Sequence, residues 1–382
     1  MTGWPLPPSD AERLARVALN QLAEPGDLRI AALVAEVGAV TLHRLLIDER
    51  GPDGLRTDVA ARLADVDPHR ELERADRVGL RFVIPGDDEW PAQLDDLVRA
   101  EPLQERGGVP VGLWVRGPLR LDQLGSSVAV VGARAATTYG ESVAGEIAAV
   151  ASLSGAPVIS GGAFGIDVAA HQAALGVGCP TVAVLACGAD RVYPAAHREL
   201  FHHVAETGAL VSEGPPGCAP QKIRFLARNR LIAALTRGTV VVEAATRSGA
   251  LNTSNWAVRL NRVVMGVPGP VTSVSSAGVH EQLREGAMTL VTGGAEVLEL
   301  IGVAGDHLVD VARAPVTIWD RLTPRQRQVL DAVPVAARTG PDSIARVSGL
   351  GVLEVRAALE KLKRVGLVDS GDQGWRLTVA AH

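Results

Sequence analysis

The 382-residue chain is poor in cysteine and lysine and has no long apolar run. Each shortage excludes something. Three cysteines, Cys179, Cys187 and Cys218, form no CxxC pair and are odd in number, so neither a disulfide framework nor a zinc site is expected. No apolar stretch reaches the roughly 18 residues that span a bilayer. The opening MTGWPLPPSDAERLAR carries acidic residues early and has no apolar h-region, which is not how a signal peptide reads. A cytoplasmic location with no membrane anchor is the expectation. Walker A, HExxH and GxSxG patterns are missing, and no strand-end loop sets a nucleophile beside a base. That points to a binding surface rather than an enzyme, with no cofactor and no metal.

Hydrophobic residues make up 47% of the chain and charged residues 21%, a globular composition able to bury a large core. The length suggests two or three domains. A net charge of −5 argues against a polyanionic partner, but the average hides a local feature. Between Gly214 and His280 the single acidic residue is Glu243, whereas Lys222, Arg224, Arg228, Arg230, Arg237, Arg247, Arg259 and Arg262 all fall there. Binding of a polyanion follows the local field rather than the net charge. The chain has only three lysines, and Lys222 is the one that precedes the last 60 residues.

Three regions follow from periodicity. Residues 10–80 read as helical: AERLARVALNQLA and LRIAALVAEVGAVTLHRLLIDE on either side of Pro25-Gly26, then LRTDVAARLADV and RELERADRVG. FVIPGDDEWPAQLDDL and VGLWVRGPL give short extended pieces of a connector. From Ser127 onward, apolar runs at 127–131, 157–160, 181–186, 209–213, 239–244 and 263–267 alternate with helical stretches. Runs without polar alternation are strands buried on both faces. Repeated strand–helix units predict a Rossmann-like, doubly wound parallel sheet. The boundaries expected are a helical domain at 1–80, the sheet domain at 81–302, a linker at 303–318 and a separate domain at 319–382. In the last, TPRQRQVLDAV, capped by Thr323 with Pro324 at its first position, PDSIARVSGL and VLEVRAALEKLKRVG are helices. A hairpin turning at Gly371 to Gly374 follows, which is the order of a winged helix.

In an open parallel sheet, ligands bind beyond the carboxyl ends of the strands. Three loops there share one character. SVAVVGARAATTYG brings Gly132 and Arg134; PVISGGAFGIDVAAH brings Ser160, Gly161, Gly162, Gly165 and Asp167; TVVVEAATRSGALNT brings Arg247, Ser248, Gly249 and Thr253. Glycine permits close backbone approach, and helix N-termini present free N–H groups to anions. PQKIRFLARNRLIAAL adds Lys222, Phe225, Arg228 and Arg230 around a helix start. Cations there suit a phosphate backbone, and Phe225 could stack on an unpaired base or belong to the core. Asp167 reads as a helix-start residue and His171 as a satisfied core histidine. Glu243 could reach a ribose hydroxyl or pair with an arginine.

Taken together, GARAATTYG, SGGAFGIDVAAH, CGADRVYP, VSEGPP, KIRFLARNRLIA, EAATRSGALNT and VPGPV resemble, in order and spacing, the DprA (DNA processing protein A, also called Smf) family over about residues 80–300. The resemblance implies a single-stranded DNA-binding protein that shields incoming DNA and helps load the RecA recombinase during natural transformation. It also implies a homodimer and an N-terminal segment of SAM or helix-hairpin-helix type. DNA contacts would fall on Gly132, Arg134, Ser160, Gly161, Gly162, Gly165, Lys222, Phe225, Arg228, Arg230, Ser248 and Gly249. Three positions depart from the family: Ala133 for Ser, Leu226 for Pro, and Asn252 at an apolar position. The competing reading is a nucleotide hydrolase of the lysine-decarboxylase-like (phosphoribohydrolase) group. Its PGGxGTxxE loop needs a glutamate, and RSGALNTSNWA has no acidic residue between Glu243 and Glu281. A duplex-DNA regulator acting through VLEVRAALEKLKRVG would need a more basic face; an accessory or protein-contact role suits that helix better.

Overall fold

The computed structural model describes residues 8–48, 63, 66–303, 305–308 and 318–379. The helix expected at LRTDVAARLADV and most of the 303–318 linker lie outside the described residues. The chain divides into two compact units, Met1–Val309 and Asp310–His382.

Helices α1 (Asp10–Leu22), α2 (Leu28–Val37), α3 (Ala39–Ile47) and α4 (Pro68–Asp76) begin the first unit. Their starts follow the expected chemistry: Ser9, Asp27 and Asp67 each accept backbone N–H groups of the first turn. The stretch from Leu28 to Glu49, read as one helix, breaks at Gly38, whose φ of 79° lies in the left-handed region. Strands β1 (Leu80–Val83) and β2 (Leu113–Arg116) follow. The pieces read as a connector are thus strands of the main sheet. Val17 and Ala75 of the helices pack in one core with Phe82, Trp114, Phe201 and Leu210, so the helices and the sheet share a unit.

The sheet continues through β3 (Val128–Val131), α5 (Thr138–Leu153), β4 (Val158–Ser160), α6 (Ile166–Gly176), β5 (Thr181–Leu185), α7 (Arg198–Thr207), β6 (Ala209–Ser212), α8 (Lys222–Ala234), β7 (Gly238–Val241), α9 (Gly249–Arg259), β8 (Val263–Gly266), α10 (Ala277–Arg284), β9 (Thr289–Leu290) and α11 (Gly294–Ile301). Strand order is β1-β2-β6-β5-β4-β3-β7-β8-β9. From β6 to β9 all neighbours are parallel; β1 and β2 add an antiparallel edge. The central strands are buried on both faces, as their unbroken apolar runs require. Ala129, Val131, Val184 and Val241 meet α8 and α9 through Leu231, Ile232 and Trp256. Val128, Val130, Val158 and Val240 face α5, α6 and α11 through Ile147, Ala170 and Leu298. The chain winds one way from β3 to β6 and the other way from β7, so the switch point lies between β3 and β7.

The second unit contains α12 (Pro324–Asp331), α13 (Pro341–Ser348), α14 (Val352–Arg364) and an antiparallel hairpin of β10 (Val368–Gly371) and β11 (Gly374–Leu377). Thr323 forms a capping box with Gln326. Val329, Ile344, Val355, Leu359 and Leu362 make its own core.

Candidate nucleic-acid interface

A cleft of about 940 Å³ opens where β3 and β7 diverge, the place at which doubly wound sheets hold ligands. Gly132 and Arg134 after β3, Arg247, Ser248 and Gly249 after β7, and the first half of α8 line it. Sequence periodicity decides what α8 presents. Lys222, Phe225, Arg228, Asn229 and Ile232 recur at three- and four-residue steps and all line the cleft.

Charge and an aromatic ring meet at its centre. The Arg134 guanidinium lies 5.0 Å from the Phe225 ring centroid and that of Arg228 lies 5.9 Å away, within cation–π range. Tyr193 approaches the same ring at 6.0 Å. Arg134, Lys222 and Arg247 are exposed. Arg228 is only 7% exposed; its Nη1 donates to the Val184 carbonyl at 2.7 Å, while its buried Nε has no partner. Burial pulls this guanidinium below its usual range and pushes the Asp167 carboxyl up, each opposed by the charge of the other. A buried cation with an unused N–H at a cleft wall is an anion-binding arrangement, because an unmade hydrogen bond there is costly.

Two helix ends add to the field. Gln221 gives α8 no side-chain cap, and Ser248 caps α9 with one bond to the Ala250 N–H. Both N-termini border the cleft and carry partial positive charge. The neighbouring helix start is closed instead: Glu243 accepts from the Thr137 N–H (2.9 Å) and hydroxyl (2.6 Å). Glu243 is 1% exposed, so its carboxylate is turned to Thr137 rather than to a ribose hydroxyl or an arginine.

Of the residues named from sequence, Gly132, Arg134, Lys222, Phe225, Arg228, Ser248 and Gly249 come together in the cleft. Asp167, Arg247 and Thr253 of the same loops line it as well, whereas Ser160, Gly161, Gly162, Gly165 and Arg230 do not. Ser160 is fully buried and donates to the Val130 carbonyl at 2.6 Å. Gly161 and Gly162 leave room for protein atoms: a Cβ at the first would strike the Arg228 guanidinium, and at the second the Phe201 ring. At Gly165, with φ of 73°, a Cβ would strike the Ala133 and Arg134 carbonyls. These residues shape the loop that carries Arg134.

Arg230 is a correction. It is 0% exposed and forms a two-pronged ion pair with Glu213, at 2.7 and 2.6 Å. Its Nε donates to the Gly108 carbonyl, and Glu213 also accepts from the Gly26 N–H. The residue fastens the N-terminal segment to the sheet domain and is not available to a ligand. Arg224 is likewise engaged, by Glu24 at 2.7 Å.

Asn229 and Tyr193 line the cleft but were not named from the sequence. Helical spacing from Phe225 marks Asn229. Nothing in the sequence marks Tyr193 beyond the CGADRVYP string. Asn252, the departure from an apolar position, accepts from the Asn229 side chain at 3.1 Å and donates to the Gln104 side chain at 3.3 Å.

Two titrations follow. His171 is held between the Thr181 hydroxyl and the Gly161 carbonyl, both at 2.8 Å, and burial pulls its pKa down to about 4. The unfolded chain therefore takes this proton first as pH falls below 6.5. Stability falls through the window from 6.5 to about 4 by roughly 3 kcal/mol. Denaturant unfolding across that window is expected to show this slope, and His171→Gln to flatten it. Asp167 works in the opposite sense on a ligand. As pH falls toward its raised pKa it takes up a proton, the cleft wall loses negative charge, and affinity for a polyanion rises. Asp167→Asn is expected to remove that part of the pH profile; an unchanged profile would assign it elsewhere.

Among the described residues no single helix is long and apolar enough to cross a membrane. Residues 81–302 match the DNA recombination-mediator protein A family. The chain is 44% identical to the DNA processing protein DprA of Mycobacterium tuberculosis (strain H37Rv), over 94% of this chain and 92% of that one. It superposes on the X-ray structure of DNA processing protein A from Streptococcus pneumoniae with TM-score 0.62 and 31% identity, covering 76% of this chain and 97% of that one. DNA processing protein A from Helicobacter pylori, whose single-stranded DNA binding mode has been described structurally, gives TM-score 0.50 and 25% identity over 58% of this chain and 96% of that one. The cleft at the switch point, the basic α8 face and these matches agree: the chain belongs to the DNA recombination-mediator protein A family.

Proposed function

We propose that the chain binds single-stranded DNA in the cleft between β3 and β7, shields it, and helps load RecA recombinase during natural transformation and recombination, acting as a homodimer and without catalysis. The observation that carries this is the approach of Arg134 and Arg228 to the half-buried Phe225 ring, in a cleft that Lys222 also lines. Cations hold a backbone whatever its sequence, and a ring accepts any base, so the pair selects unpaired strands. The hydrolase reading needs a glutamate that the RSGALNTSNWA loop lacks, and Glu243, at the end of the preceding strand, is engaged by Thr137. The second unit is proposed as a winged-helix-like accessory. Its helix α14 opens with exposed Leu353 and with Glu354, which pairs with Arg325 at 2.8 Å; that start suits a protein contact better than duplex phosphates. The test combines nuclease protection of a single strand with RecA-dependent strand exchange. Protection together with faster exchange supports the whole proposal. Protection without an effect on exchange removes the RecA step, and no protection removes the DNA-binding reading.

A further inference from the structure

Four phenylalanines occur in the chain. Phe82 and Phe201 are buried at 5% and 1% exposure, and Phe225 lines the cleft. Phe164 differs: it is 47% exposed on the loop between β4 and α6. One edge of its ring is anchored against His197, with centroids 4.4 Å apart at 69°. His197 is itself 8% exposed and rests on Phe201. The ring is thus held along one edge while much of its surface stays in water, open to a stacking partner.

Phe164 borders a second depression, of about 540 Å³, together with Glu141, Gly165, Val168, Gln172 and His197. This groove adjoins the cleft. Ala163 lines the cleft and Phe164, the next residue, lines the groove. The Ile166 N–H donates to the Ala133 carbonyl at 3.3 Å, and a Cβ at Gly165 would strike the Ala133 and Arg134 carbonyls. Only the loop that carries Arg134 separates the two. Among the described residues no lysine or arginine lines the groove, and one carboxylate does, so it suits a base better than a phosphate.

We propose that Phe164 is a second stacking platform. A strand held by its phosphates in the cleft passes over the loop at Arg134 and lays a nucleobase on the Phe164 ring, with the Gln172 amide and the Glu141 carboxylate facing the base edge. The proposal rests on the reading of the cleft as a single-strand site. It extends that site by at least one base on the β4 side, and it uses an aromatic that α8 does not supply.

The test measures binding of labelled single strands of about 5 and about 20 nucleotides by full-length wild type, Phe164→Ala and Phe164→Trp. A short strand fills the cleft alone; a long one also reaches the groove. For Phe164→Ala the expected result is a roughly tenfold loss with the long strand and no change with the short one. Phe164→Trp keeps long-strand affinity, and its added fluorescence is quenched by the long strand only. Unchanged long-strand binding by Phe164→Ala, or equal losses for both lengths, overturns the proposal. Failure of wild type to bind either strand is a different outcome, since it removes the cleft reading itself.

Discussion

Arg230→Ala is expected to lower the free energy of unfolding by about 3–5 kcal/mol. The side chain is fully buried, and its guanidinium binds both oxygens of Glu213. Removing the cation leaves a carboxylate at 9% side-chain exposure with the Gly26 N–H as its remaining polar partner. The loss spreads beyond the pair. Asn20 of α1 donates to the Glu213 carbonyl at 2.7 Å and accepts from the Trp114 indole at 2.8 Å, so the same region ties helix α1 to β2 and β6. Replacing both partners by apolar residues of similar size, as in Arg230→Met with Glu213→Leu, is expected to recover much of the stability, because no charge is then stranded. Denaturant midpoints of the two variants test this. Should Arg230→Ala retain full stability yet lose single-strand binding, the guanidinium would belong to the ligand site after all.

Arg134→Ala with Lys222→Ala is expected to weaken single-strand binding by about 100-fold at low salt while leaving stability within about 0.5 kcal/mol of wild type. Both side chains are exposed at the cleft, so neither holds the fold together. Each lost phosphate contact also reduces the slope of log affinity against log salt by about 0.7. The double variant should therefore flatten the salt dependence by about 1.4, and its deficit relative to wild type should shrink at high salt. A uniform loss at every salt concentration would mean that the two residues act on cleft shape rather than on backbone charge. Arg134 also stands over the Phe225 ring, so part of its effect reaches base stacking; Arg134→Lys separates the two, keeping charge and losing the flat guanidinium.

The sheet was legible because its strands are short and apolar on both faces. The runs at 127–131, 157–160 and 263–267 enclose β3, β4 and β8 and overrun them by a residue or two at most. Pairing of β1 and β2 was not legible: Trp114 sits opposite Phe82 on one side and Ser212 on the other, and such distant partners leave no local pattern. The glycine loops carry a real signal of close approach. At Gly161 and Gly162 the atoms that fill the space of a side chain are those of Arg228 and Phe201, and the sequence does not say which atoms arrive. Helical geometry alone sets Arg230 apart. At 3.6 residues per turn it lies roughly 200° around α8 from Arg228, so the two cannot share the face that Phe225, Arg228, Asn229 and Ile232 define. What periodicity could not supply was its partner, Glu213, at the end of a different strand.

The most direct test of the central claim is a fluorescence anisotropy titration of wild type against a labelled single strand of about 30 nucleotides and its duplex, at two salt concentrations. The cleft predicts that the single strand binds at least about tenfold more tightly than the duplex and that raising salt weakens both. Equal affinity for the duplex, undiminished in Arg134→Ala/Lys222→Ala, would contradict it and move the DNA-binding role away from the cleft between β3 and β7.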